Sequence, residues 1–324
     1  MKAIRAHAFG GADVLQLDDV DDPVPGPGEV VIDVRAAGVN PADTYMRNGT
    51  YAIVPDLPYI PGGDAAGVVC AVGDGVDDYA LGDRVFAGTA QSFDFTGCYA
   101  EKLKRTTEQI APLPENVDFA EAAAFGVSYT TAHYALFERG GACAGEAVFI
   151  HGASGSVGTS AIQLAKRAGL KVIGSGGTAK GLDLIRAEGA DHAVDHTQDG
   201  YLDDVREQTG GTGPEIVLEM LANVNLAADM DLVAKYGRII VIGNRGDVTI
   251  TPRVAMMKEI DIRGIALWNA THEQMKPIMD DILAGVADGA LRPVIGRQFP
   301  LSEAAAAHVA VLEPGAHGKI VLIP

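Results

Sequence analysis

Two patterns of apolar positions divide the chain. Up to about residue 120 the apolar residues come in short runs bounded by glycine and proline: Glu29 to Arg35 (EVVIDVR), Gly67 to Gly73 (GVVCAVG) and Asp83 to Phe86. The first run is rich in β-branched residues and alternates after Val31, which predicts a strand. Pro23, Pro25 and Pro27, with Gly26 and Gly28, make a stiff turn ahead of it. Many short strands joined by such turns predict a small barrel or sandwich.

Beyond residue 120 the pattern changes. Glu121 to Leu136 is alanine-rich and reads as a helix. Strands are then predicted over 147–151, 171–175, 192–195, 215–219, 238–242 and 261–267. Helices are predicted over 156–168, 179–188, 200–209, 224–234 and 252–259. In the first of these helices Val157, Ala161, Leu164, Ala165 and Ala168 share one face at spacings of three and four. Strand–helix alternation of this length implies an α/β fold with a doubly wound parallel sheet. One more helix follows residue 270, the alanine-rich 302–312 reads as a short helix, and Lys319 to Ile323 (KIVLI) reads as a closing strand.

The chain has 324 residues, 48% of them hydrophobic, enough for two cores. With 25 basic and 43 acidic residues the formal net charge is −18. That field repels phosphate backbones, so nucleic acid is not an expected partner. Cys70, Cys98 and Cys143 form no CxxC pair, which argues against a disulfide framework and a cysteine-rich zinc site. With no eighteen-residue apolar stretch and no apolar leader, no membrane span is expected and the expected location is cytoplasmic.

The chemistry starts at HGASGSVG (151–158), directly after the apolar run Ala147-Val148-Phe149-Ile150. Gly152, Gly155 and Gly158 make G-x-x-G-x-x-G between a strand and a helix. Such glycines allow a tight turn and a close approach of backbone to ligand, and the helix offers free N–H groups to a pyrophosphate. The loop therefore predicts a dinucleotide site.

An NAD enzyme usually places an acid at the end of the second strand, for the ribose 2′-hydroxyl. Here that strand runs into Ser175-Gly176-Gly177-Thr178-Ala179-Lys180, and the first acid is Asp183, a turn into the helix. Hydroxyls and Lys180 in place of a carboxylate predict NADP(H). His196, after the third strand, is a candidate donor near the adenosine end. By the switch-point rule, further contacts come from the carboxyl ends of later strands: Asn223-Val224-Asn225, Gly243-Asn244-Arg245 and Ile265-Ala266-Leu267.

With these stretches in view, the whole chain resembles the medium-chain dehydrogenase/reductase superfamily, in particular its zeta-crystallin type quinone oxidoreductases. The matching stretches are AGVNPADTYMRNGTY (37–51), PYIPGGDAAGVV (58–69), GDRVF (82–86), HGASGSVG (151–158), EMLANVNL (219–226) and VIGNRG (241–246). The resemblance implies a GroES-like, mainly β catalytic domain over 1–121 and 268–324, split around a Rossmann dinucleotide-binding domain over 122–267. It also implies a homodimer joined partly through the strand near 261–267. It puts Asn40, Tyr45 and Tyr51 beside the nicotinamide as catalytic residues, with Tyr51 at the position that related enoyl-thioester reductases use as proton donor. It carries cofactor contacts onto Tyr51, Ser154, Gly155, Ser156, Val157, Gly177, His196, Asn225, Ile242, Gly243, Asn244, Arg245, Ile265, Ala266 and Leu267. Ser156 departs from the type, which commonly has a second glycine there, and fits only if its side chain points away from the phosphates. Trp268 is a further departure, in a region that lines the acceptor pocket of relatives.

Zinc alcohol dehydrogenases of the superfamily carry Gly-His-Glu where this chain has Gly62-Gly63-Asp64, and their ligand cysteine falls near Asn40. Asp64 alone does not make a zinc site, so Asp64 reads as structural and no metal is expected. A metal-free site suits an acceptor that takes hydride readily. The first expectation is an NADPH-dependent quinone reductase. The second is an NADPH-dependent enone or enoyl-thioester reductase with Tyr51 as acid. The third, weaker, is a non-catalytic crystallin-like or RNA-binding protein.

Overall fold

The computed structural model describes residues 1–88, 96–315 and 317–324. The chain forms two compact units: Met1–Val127 with Met275–Pro324, and Ser128–Gln274.

The first unit is mainly antiparallel. Strands β1 (Lys2–Ala6) and β2 (Leu15–Asp19) pair as a two-stranded ribbon. The larger sheet is built on β3 (Glu29–Val39), whose 11 residues pair with β4 (Asp64–Val72) on one side. On its other side β3 pairs first with β6 (Lys102–Thr106) and then with the C-terminal strand Lys319–Ile323. β5 (Arg84–Ala87) and β7 (Ala111–Pro112) extend the sheet beyond β4, and Ile295–Pro300 lies parallel to the C-terminal strand. Val30, Ile32, Val34, Val69, Val85, Leu103, Ile320 and Leu322 from these strands meet in one core. The alternation in the sequence is the inward face of this sheet.

Two registers position the chemistry of this unit. Ile320 lies opposite Val39, and Gly38 lies opposite Asp64. Asp64 and the residues next to the other pair, Asn40 and Lys319, therefore gather at one end of three adjacent strands. The helix Pro41–Arg47 starts there, with Asn40 as N-cap and Asp43 completing a capping box.

The second unit is a parallel sheet. Its strands are β8 (Ala147–Ile150), β9 (Lys171–Gly176), β10 (His192–Asp195), β11 (Ile216–Glu219), β12 (Arg238–Val241) and β13 (Asp261–Gly264). Their order is β10-β9-β8-β11-β12-β13, with all neighbours parallel. The strand order reverses between β8 and β11, which makes a topological switch point there. β8 and β11 are buried along their full length, as a strand covered on both faces must be.

Two predicted elements differ. The strand expected over 261–267 ends at Gly264, because the chain turns into a 3₁₀ segment at Leu267–Asn269. The single helix expected over 121–136 is broken into Phe119–Ala122, Gly126–His133 and a π-helical turn at Tyr134–Arg139. The break falls where the Asp64 carboxylate caps the new helix start by accepting from Val127 N. No helix among the described residues is long and apolar enough to cross a membrane.

Candidate active site

In the parallel unit, β8 ends at Ile150 and the chain turns through His151-Gly152-Ala153-Ser154-Gly155 into the helix Ser156–Arg167. Gly152 turns with φ of 56°, a conformation costly for a residue with a side chain. Its N–H donates to Ser175 Oγ, and Ala153 N–H donates to Ser175 O. The loop is thus pinned to the end of β9. Gly158 has a different duty: a Cβ there would lie 2.5 Å from Ala153 Cα and 2.6 Å from Gly152 O. The helix passes the loop too closely for any side chain.

The Ser156 hydroxyl is hydrogen-bonded to Ser128 Oγ, so the departure at this position is absorbed by a protein partner. Gly177 and the exposed His196 are neighbours, because a Cβ on Gly177 would meet His196 Nε2 at 2.6 Å. Gly181 packs near both Ser154 Oγ and Thr178 Oγ1. Ser154, Gly177 and His196 therefore gather at the ends of β9 and β10, with Lys180 exposed on the first turn of the helix Ala179–Ala187.

Two hydroxyls accept from the backbone. Ser175 is fully buried and holds the loop, and Thr178 accepts from Gly181 N as an N-cap. Ser175 is thus turned to the loop, while the exposed Thr178 keeps its own hydroxyl hydrogen, beside the exposed Lys180 and His196. At the next switch-point ends, a Cβ on Gly243 would meet Met220 O at 2.3 Å, Gly243 O accepts from Ala222 N, and Arg245 N donates to Asn223 Oδ1. Gly243 and Arg245 are thereby tied to the start of the helix Ala222–Leu232, which carries Asn225 in its first turn. Ile242 is half-buried at the end of β12. Ile265 and Ala266 are half-buried between β13 and the 3₁₀ segment, and Leu267 is buried.

Below this loop lies a group that pattern reading missed. His151, Glu219 and Asp229 are all buried, with their potential ligand atoms within 4.8 Å of one another. His151 Nε2 is 2.7 Å from Asp229 Oδ1 and 3.4 Å from Glu219 Oε2. Glu219 Oε1 accepts from Leu221 N and from Asn225 Nδ2. Among the described residues, Glu219 Oε2 and Asp229 Oδ2 have no hydrogen-bond partner. Burial pushes both carboxyls up, Glu219 to about 7 and Asp229 to about 6, and pushes His151 down. With both carboxyls raised, the pair holds a proton that the same groups release in water near neutral pH. An acid closing the apolar run Ile216-Val217-Leu218 was the available signal.

In the antiparallel unit Asn40 is 3% exposed and both ends of its side chain are engaged. Nδ2 donates to Asp64 Oδ2 at 3.0 Å, and Oδ1 accepts from Lys319 Nζ at 2.6 Å. Lys319 Nζ is also 3.3 Å from Asp64 Oδ2. Asn40 N donates to Asp43 Oδ2, as does Tyr99 OH. His308 then bridges Tyr99 OH, at Nε2, and Arg47, at Nδ1. Burial is the main cause that raises Asp43 to about 7 and lowers His308 to about 3, with Arg47 adding to the latter. Tyr45 and Tyr51 are half-buried with ring centroids 6.2 Å apart. The Tyr51 hydroxyl is pushed up by burial, then by Asp43 and Tyr45, so it stays protonated at neutral pH. Asp43, Tyr99, His308 and Lys319 were not legible as site residues. The spacing Asn40-Pro41-Ala42-Asp43 was a usable capping signal, and a lysine opening a buried strand was an anomaly worth following.

A split β unit with a dinucleotide-type sheet and a buried polar cluster defines an oxidoreductase of the alcohol dehydrogenase architecture. Residues 26–117 match the family described as alcohol dehydrogenase GroES-like domain, and residues 156–284 match zinc-binding dehydrogenase. The human protein named quinone oxidoreductase is 43% identical over 325 positions, covering 100% of this chain and 98% of its own. The chain belongs to the medium-chain dehydrogenase/reductase superfamily, in its quinone oxidoreductase branch. Among solved structures, the Escherichia coli quinone oxidoreductase complexed with NADPH is similar at a TM-score of 0.89 and 29% identity, over 100% of both chains. An NAD-dependent alcohol dehydrogenase is similar at a TM-score of 0.92 and 30% identity, again over 100% of both. The fold is thus common to users of either cofactor.

The zinc in one family description does not fit the residues around Asn40 and Asp64. Zinc needs three or four N, S or O ligands. Here Asp64 Oδ2 already accepts from Asn40 Nδ2 and Val127 N, and the cation beside it is Lys319.

Proposed function

We propose that this protein is an NADPH-dependent reductase of quinones that works without zinc. The carrying observation is the full-length similarity to quinone oxidoreductases, joined to a glycine loop and switch point built for a dinucleotide. NADPH supplies a hydride when bound. The loop Ser154, Gly155, Ser156 and Val157 holds the pyrophosphate with helix N–H groups. Gly177 lets the adenosine end approach, and Lys180 and His196 receive the 2′-phosphate. Asn225, Ile242, Gly243, Asn244, Arg245, Ile265, Ala266 and Leu267 hold the nicotinamide half. Reduction of a quinone builds negative charge on oxygen, which a fixed donor stabilises. Asn40 is that donor, Tyr51 delivers the proton, and Tyr45 packs beside Tyr51.

Replacing Tyr51→Phe is expected to lower kcat for 1,4-benzoquinone by about 10- to 100-fold with little change in NADPH affinity, the usual size for a lost general acid. Turnover within twofold of wild type would remove Tyr51 from the proton path. The enone or enoyl-thioester reading keeps the same residues and is separated by an acceptor panel: preference for an enone would put it first.

The protein is proposed to act as a homodimer through β13. That strand is a sheet edge, its Ile262 is 40% exposed, and Met256 and Met257 just before it are each 74% exposed. An unpaired edge beside apolar surface suits a second copy. Ile262→Lys with Met257→Lys is expected to convert dimer to monomer in sedimentation at micromolar concentration. A wild-type chain that sediments as a monomer contradicts this.

A further inference from the structure

Lys319 is 1% exposed, and its stem crosses the sheet over Gly38, where a Cβ would come within 2.9 Å of Lys319 Cε. Any larger residue at 38 would block that path. The ammonium group reaches Asn40 Oδ1 and Asp64 Oδ2, on the two strands beside and beyond it. The chemistry of the partners sets the amide orientation. An ammonium only donates, so the Asn40 atom 2.6 Å from it is the oxygen. The nitrogen then faces the Asp64 carboxylate, which accepts one of its two hydrogens. A lysine with its charge in the sheet interior is a costly choice, and a well-packed apolar pair often serves stability as well. A function beyond stability would account for it.

We propose that Lys319 is a positioning residue for the reduction, acting through Asn40. Its charge locks the amide in one orientation and polarises it, so that the second Nδ2 hydrogen is a stronger donor to the acceptor oxygen. The buried ammonium takes the role of the cation named in the family description. This inference rests on the quinone reductase reading.

The test removes the buried pair together, as Lys319→Met with Asp64→Asn, so that no charge is left alone. A companion, Lys319→Gln with Asp64→Asn, keeps a donor toward Asn40 without the charge. Both are made in wild-type and Asn40→Ala backgrounds, and melting temperature, NADPH affinity by fluorescence, and kcat and KM for 1,4-benzoquinone are measured. The Met pair is expected to bind NADPH within about threefold of wild type and to lose about 30-fold in kcat, on the scale of a lost or misaligned transition-state donor. The Gln pair is expected to fall between the two. In the Asn40→Ala background the Met pair is expected to cost nothing further. A folded Met pair with kcat within twofold of wild type overturns the inference, as does a full additional loss without Asn40. If neither pair variant folds, Lys319 is a folding element and the inference falls. A wild-type enzyme inactive on quinones instead overturns the reading on which the inference rests.

Discussion

Gly158→Val is expected to abolish measurable NADPH binding and to destabilise the parallel unit by at least about 3 kcal/mol, the upper end for overpacking of a tight core. The reason is in the backbone. The first atom of any side chain would sit 2.5 Å from Ala153 Cα and 2.6 Å from Gly152 O. Neither is the end of a flexible side chain, so the helix Ser156–Arg167 must lift away from the loop. That movement pulls the helix N–H groups away from the proposed pyrophosphate position and strains the bonds from Gly152 and Ala153 to Ser175. Isothermal titration with NADPH and urea unfolding would check both halves. Gly155→Ala provides the contrast: its nearest neighbour is Gly152 O at 3.3 Å, tight but open to adjustment. It is expected to weaken NADPH binding with a smaller loss of stability. Equal stability losses at the two positions would contradict this account of the loop.

The second large effect is a pH dependence of stability carried by Glu219 and Asp229. Burial pushes Glu219 to about 7, above the 4.5 of an ordinary glutamate, so the folded state holds a proton that the unfolded state releases. The stabilisation is fully present below the unfolded value and is lost as pH rises through about 7. Asp229, raised to about 6, works in the same sense. Between pH 5.5 and 8 Glu219 alone corresponds to a loss of about 2 kcal/mol. His151, pushed down by burial, runs the other way below its ordinary 6.5, so the informative quantity is the difference between wild type and Glu219→Gln. The amide carries the missing hydrogen at every pH. The variant is therefore expected to show a flatter stability profile in urea unfolding and to gain on wild type at pH 8. A profile parallel to wild type would contradict the proton held on the pair. A melting temperature that falls on addition of chelator would put a cation among the three side chains instead.

Much of the parallel unit could be read locally. The glycine loop, the apolar strands and the helix faces each depend on residues within a few positions, so their order along the chain implied the doubly wound sheet. Element ends were less accessible. β13 stops at Gly264 because of the 3₁₀ turn at Leu267–Asn269, and the helix start at Gly126 is fixed by Asp64 from a distant strand. Contacts across the topology were beyond pattern reading altogether. Asn40 was recognisable as a candidate, but its partner Lys319 lies 279 positions away and meets it only through strand register. His151 and Glu219 come together because β8 lies beside β11. Ser175 and Thr178 show a different difficulty: their types suit a 2′-phosphate, a turn and an N-cap alike, and only the structure shows both hydroxyls accepting from backbone N–H groups.

The most direct test of the central claim is the initial rate of NADPH oxidation by chelator-treated protein, with a benzoquinone, a naphthoquinone, an enone and an enoyl-thioester as acceptors and with NADH in parallel. The account predicts rapid turnover of at least one quinone with NADPH, slower turnover with NADH by about tenfold or more if a 2′-phosphate contact contributes at least 1.4 kcal/mol, and no restoration by zinc. Quinones left untouched while NADPH binds, or activity that appears only when zinc is added, would contradict it.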